Sequence, residues 1–440
     1  MSQKLSRRDW IRVLGASGLA AGLGGASRPG AAAAAEAKRT CPAVVDGKVI
    51  QPERELPVLH STDVLVVGAG PAGVCAAIAA KRAGVEVTLV ERYGHFGGLW
   101  TGGLVLLVIP MFDKNKKQVT LGIGEEMLQA LDKLDGGIVN HRPGANPTVD
   151  AEAAKYVMVE MIREANVNVY LHCWGVDAIM DGDTIRGAVF ESKSGRQAIL
   201  AKMVIDATGD GDVFAAAGAA HETRRYDIGL VSRLGNLDKV DHAKAKAAGV
   251  KKPDGLGSIT PIPGVHWVNM RGPAADGLDV AELTRLEMNH RRFIWRNLQK
   301  IRKTPGYEQV YLMETAPQLG VRITRVLDGM KRLTLRDAQA GVSYPDVIGY
   351  GGADGAQKDA WQIPYGALVP KKIDNVLAAG RCISGEQPMA DLLRLIAACF
   401  VTGQAAGVAA ALAVKDSCRA RDVDVPKLQA ELRKQGAYLG

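Results

Sequence analysis

Apolar and polar positions fall in blocks along the chain, and the blocks predict alternating strands and helices. Residues 64–67 are uninterrupted apolar and predict a strand buried on both faces, the habit of parallel sheets. The dozen residues after the next glycines predict a helix, and a second apolar run at 85–90 predicts a strand ending on Glu91. Helical patterns follow near 124–134 and 150–165, separated by a proline-broken loop at 141–147. Residues 167–172 predict another parallel strand. Three short runs at 175–180, 185–192 and 197–201, divided by Asp181-Gly182-Asp183 and Ser194-Gly195, predict an antiparallel meander. A buried strand at 203–206 then delivers the chain into Ala207-Thr208-Gly209-Asp210-Gly211-Asp212. Residues 222–364 lose this regularity, with many charges, proline breaks and Trp267, Trp295 and Trp361. The earlier style resumes at Val376, and 396–414 read as a tightly packed internal helix around Gly403 and Gly407.

The first strand, helix and second strand carry a specific chemical pattern. Gly68, Gly70 and Gly73 stand in GxGxxG spacing, which serves a tight turn, a close backbone approach to a pyrophosphate, and close helix–strand packing. The helix N-terminus behind them offers free N–H groups and the positive end of its dipole to phosphates. Glu91, about 20 residues on, suits a carboxylate accepting from ribose hydroxyls. Strand, glycines, helix, strand and acid in this order predict a dinucleotide site, without choosing the dinucleotide. No second GxGxxG with a following strand and acid occurs in the sequence.

Length and composition sharpen this reading. The chain has 440 residues, suited to two or three domains, and 51 glycines, as expected where backbone approaches a ligand closely. Of the net charge of +8, residues 1–37 hold five basic and two acidic residues, or +3; the remaining +5 is too scattered to predict nucleic-acid binding. Ser6-Arg7-Arg8-Asp9-Trp10-Ile11 is similar to a twin-arginine export signal, followed by a mildly apolar stretch and a small-x-small site at Ala35-Glu36-Ala37. These residues predict a signal peptide over 1–37, a periplasmic or otherwise exported protein, and the twin-arginine machinery as a partner. That route carries folded proteins, which suits a cofactor loaded before export. The six cysteines contain no CxxC and no ligand-like cluster, so no metal site is expected, and they leave disulfide pairing open.

GxGxxG with its terminal acid, then ERYGHFGG, a meander, an ATGD segment, QLGVRITR, DNVLAAGRCIS and TGQAAGVAAALA together resemble the FAD-dependent oxidoreductase family and its glutathione-reductase-like layout. The resemblance covers residues 62–414. It implies an α/β fold: an FAD-binding Rossmann domain with parallel sheet and β-meander over 62–221 and 365–440, including C-terminal helices. A lead-in would occupy 38–61, and an inserted mixed α/β substrate domain 222–364.

The resemblance also assigns residues to FAD. Gly68, Gly70, Pro71, Ala72 and Gly73 would hold the pyrophosphate, with Glu91 on the adenosine ribose and Arg92 beside it. Gly97, Gly98 and Leu99 would pass under the ribityl chain and isoalloxazine. Val176 would offer backbone groups to adenine. Gly209 and Asp210 would close over the pyrophosphate, and Gly380 and Arg381 would approach the ribityl and phosphate end. A helix beginning near Asp391 would aim its N-terminus at the flavin N1/C2=O edge.

Candidates for the chemistry are arginines. Arg322 and Arg325 match a family segment and would share one face if it is helical, where guanidinium forks suit a carboxylate. Arg394 precedes an apolar helix and needs a partner there. His95, two residues before Gly97, is either a covalent attachment point for the flavin or a polar turn residue, and His141 is a candidate for the site mouth. Cys382 and Cys399 read as buried thiols. The expectation is an exported FAD-dependent dehydrogenase or oxidase acting on a small organic substrate, with anions among the candidates. Its electrons would pass to dioxygen, a quinone or a carrier protein. The alternatives are an electron-transfer subunit docking to a partner, and a biosynthetic protein akin to thiazole synthases, against which the export segment argues.

Overall fold

The computed structural model describes residues 41–355 and 357–440. The export segment, including Arg7, Arg8 and Ala35 to Ala37, lies outside the described residues. Within the unit Met1–Pro57, Ala43–Val45 and Lys48–Ile50 pair as a short antiparallel hairpin. The remaining chain, Val58–Gly440, is one compact unit.

That unit is built on a seven-stranded mixed sheet. β1 (Val58–Val67) leads into α1 (Pro71–Arg82) and returns as β2 (Val87–Val90). β1 begins six residues before its apolar run because its first half pairs with a later strand while one face stays wet. α2 (Ile123–Asp132) and α3 (Ala151–Glu164) follow, α3 capped by the Asp150 carboxylate accepting from the N–H groups of Glu152 and Ala153. β3 (Asn168–Tyr170) is the parallel edge strand, and β4 (Trp174–Asp181), β5 (Thr184–Ser192) and β6 (Gly195–Asp206) form the meander.

β6 corrects the sequence reading, which divided it into two strands. Its 12 residues are continuous. The first half pairs antiparallel with β5, while residues 198–206 run parallel to β1. Past the end of β5, its place beside β6 is taken by the parallel β14 (Val376–Ala378), described below with the C-terminal elements. One strand thus belongs to the meander and to the parallel core, and the order across the sheet is β3-β2-β1-β6-β5-β4.

After α4 (Asp212–Ala216) the chain enters the irregular stretch. β7 (Arg225–Asp227) pairs with β11 (Ala274–Asp276); β8 (Ser232–Gly235), β9 (Ser258–Ile259), β10 (His266–Val268) and β12 (Tyr311–Thr315) make a four-stranded sheet in the order β9-β10-β8-β12. The long α5 (Val280–Arg302) buries Leu286, His290, Ile294, Leu298 and Ile301, an i, i+4 spine. Leu234, Leu256, Leu298, Ile301, Tyr307 and Val310 form a small core of their own. Leu230, Trp267, Ala316 and Trp361 from the same stretch join the main core, so 222–364 does not separate as a compact unit.

β13 (Arg325–Leu327) and β14 lead to α6 (Gln387–Leu393), α7 (Ile396–Lys415) and α8 (Val425–Lys434). α7 is long and apolar enough to cross a membrane, yet it is almost wholly buried inside the protein. Its small residues explain how. A Cβ on Gly403 would stand 2.1 Å from the Ala72 carbonyl oxygen, and one on Gly407 2.2 Å from that of Ala76. α7 therefore rests its backbone directly on α1 and fixes where the N-terminus of α1 points.

Candidate functional site

The parallel strands all end at one edge, and the residues following them, Gly68, Glu91, Ala207 and Ala379, line a single cavity of about 1130 Å³. The carboxyl edge of a parallel sheet is the usual place for a ligand in open α/β folds. Pockets of about 300–1,000 Å³ serve drug-sized ligands, so this one has room for a larger molecule and a small partner.

The glycine turn builds the cavity's floor. Gly68 holds φ at +98°, and its missing side chain leaves Ala207 O within 2.5 Å of where a Cβ would be. Gly73 does not line the cavity; its hydrogen faces Gly68 O, which a Cβ would meet at 1.8 Å, so it joins helix to strand. Gly70 behaves differently. It lines the cavity, and a Cβ there would find no protein atom within 4 Å. Pro71 occupies the first position of α1 and has no N–H, while the N–H groups of Ala72 and Gly73 have no partner within the helix and no side-chain cap. Open space beside a bare backbone, with unspent donors and a helix dipole, suits a phosphate.

Glu91 is buried at the end of β2, where its carboxylate accepts from Ala69 N at 2.7 Å and Tyr93 N at 2.9 Å. Each oxygen keeps a lone pair, and the residue lines the cavity. Arg92 stacks against Tyr93 and Trp174, at 4.9 and 5.4 Å from the ring centroids. Trp174 and Gly175 line this end of the cavity, whereas Val176 does not and is exposed. Val176, expected to offer backbone groups to adenine, lies just past the lining, because the strand crosses the cavity only at its start, at Trp174 and Gly175.

Gly98 and Leu99 line the cavity and Gly97 does not. Gly97 instead donates to Ala69 O at 2.7 Å and ties this turn to the glycine loop. His95 also lies off the cavity, stacked on Tyr93. His141 is bonded to Glu125 rather than standing at a mouth.

On the far side, Gly209, Asp210, Gly380 and Arg381 line the wall together. The Arg381 guanidinium lies over Gly209, pairs with Asp210 at 3.1 Å and donates to Arg322 O at 2.9 Å. Asp206 anchors this wall from below. Fully buried, it accepts from Thr208 N and Oγ1 and from Val213 N and Phe214 N, the last two at 2.9 Å. Burial raises its carboxyl to about 6, against the lowering effect of those bonds. Its place at the end of an apolar strand was visible in the sequence, but its role was not.

Arg322 and Arg325 both line the cavity, yet they share no helix face. Their segment is not helical: residues 321–324 are irregular, with a bend at Thr324, between a bridge from Gly320 to Gly229 and β13. The directions of the two side chains separate accordingly. Arg325 braces the wall, pairing with Asp212 at 2.8 Å and donating to Asp210 O at 3.1 Å. Arg322 donates to Asp227 Oδ2 at 2.9 Å and to Asn269 Oδ1 at 3.3 Å. Burial draws Arg322 below the ordinary arginine range; Asp227 opposes this, and Arg394 and Arg271 add to it.

Arg394 follows the end of α6, 3.4 Å from Asp391 and over the Tyr226 ring at 5.6 Å. The Tyr226 hydroxyl donates to Asp391 Oδ1. Burial, followed by that carboxylate, pushes the phenol's pKa up. Tyr226, Asp227, Asn269, Arg271 and Asp391 thus join Arg322 and Arg394 in the cavity lining. Sequence reading missed Tyr226, Asp227, Asn269 and Arg271, which sit in a stretch without period or motif. The apolar helix starts at Ile396 rather than near Asp391, because α6 ends at Leu393 and the chain breaks before α7. Ile396 and Cys399 at its start line the cavity. Burial pushes the Cys399 thiol up to about 12 and Cys382 well above its ordinary value, so neither supplies a thiolate. All six cysteines are free thiols.

A profile of the family described as FAD dependent oxidoreductase matches residues 63–252 and 258–432. Digeranylgeranylglycerophospholipid reductase 2 of Methanopyrus kandleri is 30% identical over 154 residues, 33% of this chain and 37% of that protein. Digoxin reductase of Eggerthella lenta is 36% identical over 109 residues, 23% of this chain and 19% of that one. The chain spans less than two-fifths of the length of either reductase. A geranylgeranyl bacteriochlorophyll reductase-like protein of Thermoplasma acidophilum, solved by crystallography, is 15% identical with a TM-score of 0.44, over 85% of this chain and 83% of that one.

Proposed function

The chain belongs to the FAD-dependent oxidoreductase family and is an FAD-dependent enzyme, and on that premise we propose that it oxidises or reduces a small anionic organic substrate beside the flavin. The observation that carries this reading is the cavity's second end. Arg322, Arg394 and Arg271 line that end together; Arg322 is drawn down by burial and by the other two charges, Arg394 is half-buried, and Arg271 stands at the exposed rim. A carboxylate or similar anion is the natural partner for such a cluster.

FAD, when bound, supplies the hydride or electron acceptor. The glycine floor, the N-terminus of α1 and Glu91 would hold its pyrophosphate and ribose, a role the open space at Gly70 supports. Arg322, held by Asp227 and Asn269, orients the substrate anion. The Tyr226 hydroxyl, bonded to Asp391, takes the substrate's proton while its own passes to that carboxylate. Arg325 and Arg381 position the wall and touch no substrate.

The finer reading is a glutathione-reductase-like arrangement with 222–364 covering the flavin, in a protein exported by the twin-arginine route to the periplasm. Its electrons go to dioxygen, a quinone or a carrier protein, a choice motivated by the lone GxGxxG fingerprint. Rapid reduction of the flavin by NADPH in stopped flow would count against that choice. A cavity that gathers Arg322, Arg394, Asp227 and Tyr226 beside the glycine floor favours an enzyme over an electron-transfer subunit with no organic substrate of its own.

Anaerobic screening of the holoprotein for organic acids that bleach the flavin band tests the substrate class. In the same assay Arg322→Ala should keep FAD and lose reduction by substrate. Loss of FAD instead would move Arg322 to the cofactor.

A further inference from the structure

α5 shows solvent a face that its own fold does not use. Val280, Met288 and Trp295 are 76%, 69% and 55% exposed, large values for apolar side chains on one helix. At 100° per residue, Val280, Thr284, Met288 and Trp295 fall within about 80° of one another, a sector that Arg291 and Arg302 also enter. Arg285, Arg292, Arg296 and Lys303, at i, i+7, i+11 and i+18, form a row within about 40° immediately beside it. All four are exposed and form no ion pair among the described residues. The two acids of α5 are both paired: Glu282 with Arg225, and Glu287, about 20° from Val280 around the helix, with Arg291.

We propose that this face of α5 seats the protein on an anionic phospholipid surface. An acidic protein would satisfy the arginines but not an adjoining Met–Trp stripe of this length. A second copy would bring the same basic row against itself. A basic row flanking exposed aromatic and aliphatic side chains is the pattern of a helix lying in a lipid headgroup layer, where the arginines meet phosphates and the tryptophan enters the acyl boundary. The placement has a consequence for the cavity. Val280, Leu283, Thr284 and Glu287 of α5 also line it, so its rim would lie at the lipid surface. This inference goes beyond the redox reading and does not depend on it.

The test is co-sedimentation of the FAD-loaded protein with vesicles of phosphatidylcholine alone or with added phosphatidylglycerol, without substrate. Binding should require phosphatidylglycerol and weaken with salt. The triple variant Arg285→Ala, Arg292→Ala, Arg296→Ala should lose affinity on the order of a hundredfold. Met288→Ser with Trp295→Ser should also release the protein while its flavin spectrum stays unchanged. Equal binding to both vesicles, no binding to either, or variants that bind like the wild type would overturn the proposal. So would a dimer in sedimentation velocity that Trp295→Ser dissociates, since the face would then belong to a second copy.

Discussion

Replacing Gly70 with alanine separates cofactor binding from folding. Gly70 has φ −67° and ψ −178°, extended backbone that alanine adopts without strain. The new methyl would meet no protein atom within 4 Å, because it points into the cavity. The folded protein therefore loses no contact, and its unfolded chain loses freedom. Apoprotein stability should stay level or rise by about 0.4–1 kcal/mol. FAD is affected differently, since the methyl takes the space in which a phosphate approaches the N–H groups of α1. Loss of one charge-assisted hydrogen bond costs about 1.5–3 kcal/mol, which corresponds to FAD affinity falling by about 10- to 150-fold. Titration of apoprotein with FAD by flavin fluorescence gives the affinity, and urea denaturation without FAD gives the stability. Gly73→Ala is the contrast: its Cβ would stand 1.8 Å from Gly68 O, so it should damage the fold itself. FAD affinity within about threefold of wild type for Gly70→Ala, well below the loss of one such bond, would refute the phosphate cradle.

Three further outcomes test other parts of the structure. Gly403→Ala would drive a methyl to 2.1 Å from Ala72 O, push α7 off α1, and cost about 1–3 kcal/mol along with weaker FAD binding; an unchanged melting temperature would refute the contact. Asp206→Ala leaves buried donors without an acceptor, so it should destabilise by several kcal/mol, about 1–3 per orphaned group. Because burial raises the Asp206 carboxyl from 3.8 to about 6, the folded protein binds its proton more tightly than the unfolded chain. Its stabilising contribution therefore grows as pH falls through that window, by roughly 3 kcal/mol, and denaturant midpoints of wild type and variant should diverge from pH 7 to pH 4. A constant gap would remove the titration from the account. Tyr226→Phe should keep FAD and its affinity but slow substrate reduction of the flavin by on the order of a hundredfold, and flatten that rate's pH profile. An unchanged rate would exclude the phenol from proton transfer.

The sequence was most legible where chemistry and backbone coincide. GxGxxG spacing constrains a turn, a helix start and a close strand contact within six residues, so Gly68, Gly70, Gly73 and Glu91 could be read locally. The meander was also legible, since its turns carry Asp-Gly and Ser-Gly pairs. The unity of β6 was not, because a strand that changes partners midway keeps one backbone but alters its apolar pattern. Val176 was misplaced for a related reason: motif position marks a strand but not the residue at which it passes a cavity.

Arg322 and Arg325 mark the boundary most clearly. Their spacing would give one shared face on a helix, and only the folded chain shows an irregular segment there, with Arg322 turned to Asp227 and Arg325 to Asp212. The sequence by itself determined that a dinucleotide is expected, because short-range backbone requirements leave few residue choices, and its resemblance to a family made that dinucleotide FAD. Tertiary structure alone decided which groups face that site. Asp227, Asn269, Arg322 and Arg394 meet across separations of tens to more than a hundred residues, and no local energy term registers such a meeting until the sheet, α5 and α7 have packed.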